Sequence, residues 1–181
     1  SDNGSGTEIT GSGNIKVATP NSGESGAIGS ISLTTGAAKS DTSGSLNLST
    51  GVSTTGAGGD IVLSVGAGAD GVGGAVRVAA GKASGVGGAV VITSGLSTDS
   101  VSGDVDVSSA VGSVGGSGKV ALGSGTSTGG PSGRVDVSSG DSTTGQAGMV
   151  NIAVGRSGSN EGQDLVLTSG DGVVQGGGVR V

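Results

Sequence analysis

Serine, threonine and aspartate recur along the whole chain, and in a catalytic setting they would act as nucleophiles, acids or carboxylate ligands. A hydroxyl nucleophile needs a base, yet the sequence contains neither histidine nor cysteine. A desolvated lysine can take that role. However, Lys16, Lys39, Lys82 and Lys119 fall at different places in the repeat described below, as solvated side chains do. Asp70-Gly71 and Asp171-Gly172 could contribute to a calcium site only if carboxylates converged around the ion. They lie far apart in the chain, and turn chemistry accounts for them better. Two glycine-rich stretches, residues 66–74 and 173–179, lack the Gly-Lys-Ser/Thr ending and the following helix that a phosphate loop requires. The sequons Asn3-Gly4-Ser5 and Asn47-Leu48-Ser49 are chance matches in so hydroxyl-rich a composition. The sequence therefore argues against an enzyme, and no catalytic, cofactor-binding or metal-ligating residue is assigned, nor any cofactor.

The elements that carry these residues are set by composition and period. Aromatic residues are absent, 44 of the 181 residues are glycine, and the net charge is −6. Without aromatic side chains a conventional core lacks its largest burial per residue. The eight Lys and Arg are scattered singly, without the clustering or stacking partners of a nucleic-acid surface. No apolar run reaches membrane-spanning length. With no cysteine, disulfides and thiolate metal sites are excluded.

Glycine and serine alone would suggest a flexible linker, but the aliphatic residues keep strict positions. Arg134–Gly148 (RVDVSSGDSTTGQAG) is the clearest statement of a phrase repeated every fifteen residues, with rare slips of one. Val135 and Val137 align with Ile31/Leu33, Leu46/Leu48, Ile61/Leu63, Val76/Val78, Val90/Ile92, Val105/Val107, Val120/Leu122, Val150/Ile152 and Leu165/Leu167. Each aliphatic pair is followed by a polar half, and two columns of glycine punctuate the unit. The first runs through Gly36, Gly51, Gly66, Gly81, Gly95, Gly125, Gly140, Gly155 and Gly170. The second runs through Gly44, Gly59, Gly74, Gly88, Gly103, Gly118, Gly133, Gly148 and Gly177. Such columns suit bends with positive φ or close approach of chain segments.

A fixed period with a period-2 aliphatic start predicts an all-β fold. The expected architecture is a single-chain β-solenoid, or parallel β-helix, of about 11–12 coils of ~15 residues, in which identical positions stack. A meander of hairpins is the weaker alternative, because it would set Val/Leu strands beside Ser/Thr strands. Residues 1–13 read as a polar tail or a degenerate first coil, with Ile9 their one apolar position, and residues 14–181 as a continuous repeat domain. Small residues in the middle of each polar half should point inward, and Asp104 should lie beside Lys119 on the next coil. The strand phrase 178–181 would leave an open edge, so end-to-end contact with other copies, or continuation into further repeats of a longer chain, is expected. The absence of methionine at Ser1 suggests processing or a fragment.

Units such as GDVDVSSA, GRVDVSSGDSTTGQAG and GAVVITSGLSTDSVSG are similar to the Ser/Gly/Thr/Val tandem tracts of secreted algal and protist surface proteins, and more loosely resemble the solenoid shafts of surface fibres and adhesins. The likeness to calcium-binding nonapeptide solenoids goes no further than the Asp-Gly pairs. The resemblance implies an extracellular or cell-surface location, with a virion surface fibre as the alternative, and a structural role in a filament, appendage or surface fibre. The second functional expectation is an ice-binding or adhesive module using one flat solenoid face, for which Ser-Thr pairs at 53/54, 97/98, 127/128 and 142/143 are the candidates.

Overall fold

A computed structural model of the chain describes residues 13–22, 28–69 and 71–180. The expectations placed on the N-terminal tail up to residue 12, with Ile9 and the Asn3 sequon, on Asp70 and on Val181 lie outside these residues, as does the middle of the 21–29 connection. Among the described residues there is no helix and no strand. The β-solenoid is therefore overturned, and with it the parallel β-helix of stacked coils. What replaces it is coil with a bend in each repeat from the second on: residues 39–41, 54–56, 69 and 71, 84–86, 98–100, 113–115, 128–130, 143–145, 158–160 and 173–174.

The period is thus expressed in the backbone, but inside each repeat. The chain leaves the aliphatic phrase, makes a short excursion around the bend, and returns so that the second-column glycine meets the residue just before the first-column position. A Cβ built on Gly59 would lie 3.7 Å from Thr50 Cβ; the same measure is 3.6 Å for Gly44 and Thr35, 3.7 Å for Gly118 and Ser109, 3.5 Å for Gly133 and Ser124, and 3.6 Å for Gly148 and Ser139. Ten of the excursions are therefore small loops with a closed neck, the one after Val154 being the exception. The chain divides into two units, Ser1–Val90 and Val91–Val181. The first contains the necks Thr19/Gly29, Thr35/Gly44, Thr50/Gly59, Val65/Gly74 and Ala80/Gly88, and the second contains Ser94/Gly103, Ser109/Gly118, Ser124/Gly133, Ser139/Gly148 and Ser169/Gly177. Three necks also carry a backbone hydrogen bond: the N–H of Gly88 donates to Gly81 O (3.0 Å), that of Gly103 to Gly95 O (3.0 Å), and that of Gly177 to Gly170 O (2.9 Å).

The physical reason for the missing stack lies in how little apolar surface a unit offers. Two aliphatic side chains per fifteen residues cannot offset the entropy of ordering so glycine-rich a backbone, and stacking would have needed continuous pairing between coils to make up the difference. No side chain among the described residues is buried. The accessible surface of 18108 Å² stands far above the roughly 7500 Å² of a folded monomer of this mass. Val135 and Val137, expected to stack on Val120/Leu122 and Val150/Ile152, are instead exposed.

The alternation nevertheless leaves a trace. From Ile31 to Val179 the first aliphatic column is 47–59% exposed, and from Leu33 to Leu167 the second is 63–82% exposed, whereas Val52, Val86, Val111 and Val114 in the loops are almost wholly exposed. Neighbouring chain thus shields the first column more than the second. Extended local backbone also explains the ion pair Arg134 Nε–Asp136 Oδ2 (2.8 Å), since residues two apart on an extended segment share a side.

The glycine columns separate in role. The first-column glycines 36, 51, 66, 81, 95, 125, 140, 155 and 170 have open space where a side chain would go, while the second column makes the close approach at the necks. Positive φ, expected of these columns, occurs among the described residues only at Gly71 (φ 104°). That residue stands in neither column, and left-handed backbone is what glycine permits.

Candidate functional site

Among the residues that could carry chemistry, serines at the tips of several loops have a local task. In the 53–56 bend the N–H of Gly56 donates to Ser53 Oγ (3.0 Å). The same bond recurs from Ser100 N–H to Ser97 Oγ (3.0 Å), from Gly130 N–H to Ser127 Oγ (3.2 Å) and from Gly145 N–H to Ser142 Oγ (3.0 Å). A serine hydroxyl accepting from the backbone three residues on is a side-chain substitute for a backbone turn. At Ser157 the hydroxyl accepts from Ser159 N–H instead (3.1 Å) and lies 2.7 Å from Ser159 Oγ, which in turn donates to Glu161 O (3.1 Å). These serines occupy one register position, which reads Ala38, Ser53, Gly68, Ala83, Ser97, Gly112, Ser127, Ser142, Ser157 and Gly172.

Where that position holds glycine, the bend closes differently. A Cβ at Gly112 would meet Gly116 O at 2.6 Å and Gly115 O at 2.8 Å, and one at Gly172 would collide with Gln175 O. The backbone carbonyls downstream fold into the space a side chain would fill. The column thus holds a hydroxyl that bonds the bend at Ser53, Ser97, Ser127 and Ser142, and no side chain at Gly112 and Gly172, where the carbonyls come in, while Ala38, Ala83 and Gly68 do neither. The expectation that these small residues point inward against the Val/Leu columns is corrected accordingly, since their hydroxyls turn to their own bends. The partly covered residues among those described are Thr19 and Ser94 at necks and Ser97 and Ser157 at tips. Hydroxyl side chains, not aliphatic ones, are the best shielded.

The remaining polar residues do not converge. Asp41 Oδ1 accepts from Thr42 N–H (2.7 Å), and Thr98 Oγ1 donates to Asp99 Oδ2 (3.2 Å). Among the described residues Arg134–Asp136 is the one ion pair, so the expected pairing of Asp104 with Lys119 does not form. Lys16, Lys39, Lys82 and Lys119 are all exposed. No protein-family model, curated protein or solved structure matches the chain. Among the described residues no three His, Cys, Asp or Glu side chains group so as to hold a metal ion, and no helix is long and apolar enough to cross a membrane.

The serine caps were not assigned a role from sequence alone. Their signal is present in four polar halves: serine followed three residues later by glycine or serine, as in Ser53-Thr54-Thr55-Gly56 and Ser142-Thr143-Thr144-Gly145.

Proposed function

We propose that the chain is a structural repeat segment of an extracellular filament, appendage or surface fibre, associating with further copies or further repeats of its own kind. The observation that carries this reading is the recurrence of a small necked loop at the fifteen-residue period, capped by a serine hydroxyl in four of them, with no loop among the described residues distinguished from the rest by converging chemical groups. A binding or catalytic module concentrates special residues at one place, whereas a spacer repeats ordinary ones. The half-exposed aliphatic columns, regularly spaced, supply surface for lateral association of such segments. The resemblance to tandem tracts of secreted surface proteins supports the same location. An ice-binding or adhesive face of the kind expected from sequence rested on a flat solenoid wall, which the described residues do not form, and that reading is not taken up. Immunogold labelling of intact source cells with an antibody raised against the chain tests the proposal. Label on external fibres or surface material is expected, and label confined to the cell interior would overturn it.

A further inference from the structure

The neck is the most regular feature of the chain, and it has a mechanical meaning. Ser109 and Gly118 are nine residues apart in sequence, as are Ser139 and Gly148, yet their Cβ positions come within 3.7 Å and 3.6 Å of each other. Fully extended, nine residues reach about 30 Å. Each closed neck therefore withholds roughly 25 Å of chain from the end-to-end path. The forces closing a neck are few: van der Waals contact between a small side chain and a glycine, the hydroxyl cap at the tip of some loops, and at Gly88, Gly103 and Gly177 a single backbone hydrogen bond. None of these groups is buried, so opening a neck exposes little that water does not already reach.

We propose that the chain is a reversible length reserve, in which the necked loops open one by one under tension and close again when it is released. Across the ten necks the reserve is on the order of 250 Å. Each loop closes within itself, so opening one leaves the next unchanged, and extension is graded rather than abrupt. The inference rests on the structural role proposed above, but its test reads the chain's own mechanics and stands or falls apart from where the protein resides.

The sequence offers a clean way to test it, because the chain has no cysteine. The Cβ separations at the Ser109/Gly118 and Ser139/Gly148 necks, 3.7 and 3.6 Å, fall in the 3.5–4.5 Å range that a disulfide spans. Two full-length variants, Ser109→Cys/Gly118→Cys and Ser139→Cys/Gly148→Cys, are compared with Val137→Cys/Gln146→Cys, which has the same sequence separation but lies off the neck. The neck pairs should oxidise faster than the control. Oxidation should leave the hydrodynamic radius at rest unchanged, because the necks are already closed. In optical-tweezer stretching the fully extended length should be shorter by about 25 Å when oxidised and recover on reduction. Oxidation no faster than the control, or a radius that shrinks on oxidation, would show that the necks stand open at rest and would overturn the proposal. So would a force–extension curve in which the wild-type chain lengthens only in large, abrupt steps.

Discussion

Replacing Ser142 by alanine removes the hydroxyl that Gly145 N–H donates to and leaves the rest of the bend in place. The bond is 3.0 Å long and lies on the surface, so water competes for both partners. A net contribution of about 0.5–1 kcal/mol is expected, the lower part of the range for an intramolecular hydrogen bond. That corresponds to an amide exchange rate for Gly145 about two- to fivefold faster in Ser142→Ala than in the parent chain. The rate is read by solvent-exchange NMR, with Gly130, capped independently by Ser127, as the internal standard. Ser142→Thr keeps a hydroxyl at the same place and should restore protection. If Gly145 exchanges at the parental rate in Ser142→Ala, the hydroxyl does not hold the bend in solution, and the account of the tip column fails.

Gly112→Ala should shift the backbone resonances of residues 112–116, because the new Cβ meets the Gly115 and Gly116 carbonyls, whereas Gly115→Ala, which has open space, should not. Equal perturbation by the two changes would contradict the tight bend. Far-UV circular dichroism of the chain should lack helix and sheet bands, and a sheet spectrum would refute the coil architecture. Arg134→Ala should leave the hydrodynamic radius and its salt dependence unchanged, since the Arg134–Asp136 pair is exposed and such pairs contribute little. A measurable expansion would assign the pair a role beyond its own segment.

The repeat was legible in the sequence because glycine columns and aliphatic pairs are local signals, and the structure uses them locally. Gly59 and Gly148 mark closures, and Ser53 and Ser142 mark tips, at the spacing the phrase shows. Stacking was not legible for the same reason. Whether Val135 meets Val120 depends on a balance between long-range pairing and chain entropy that spacing does not report. The identical period suits a coil stacked on its neighbour and a loop closed on itself. Val137 on the outer side of that balance is two-thirds exposed. The pairing of Asp104 with Lys119 failed with the stack, while the pairing of Arg134 with Asp136 needs only an extended segment three residues long.

The absence of a buried side chain among the described residues sets how this protein meets heat. A folded domain melts at a midpoint because unfolding exposes its core all at once and raises the heat capacity. Here little apolar surface remains to be uncovered, so warming should open the loops gradually, with no calorimetric peak and no core to precipitate on exposure. For the same reason a substitution in one loop has no cooperative neighbour to bring down. Most single changes are then neutral for the rest of the chain, and the constraint that marginal stability places on ordinary domains is relaxed.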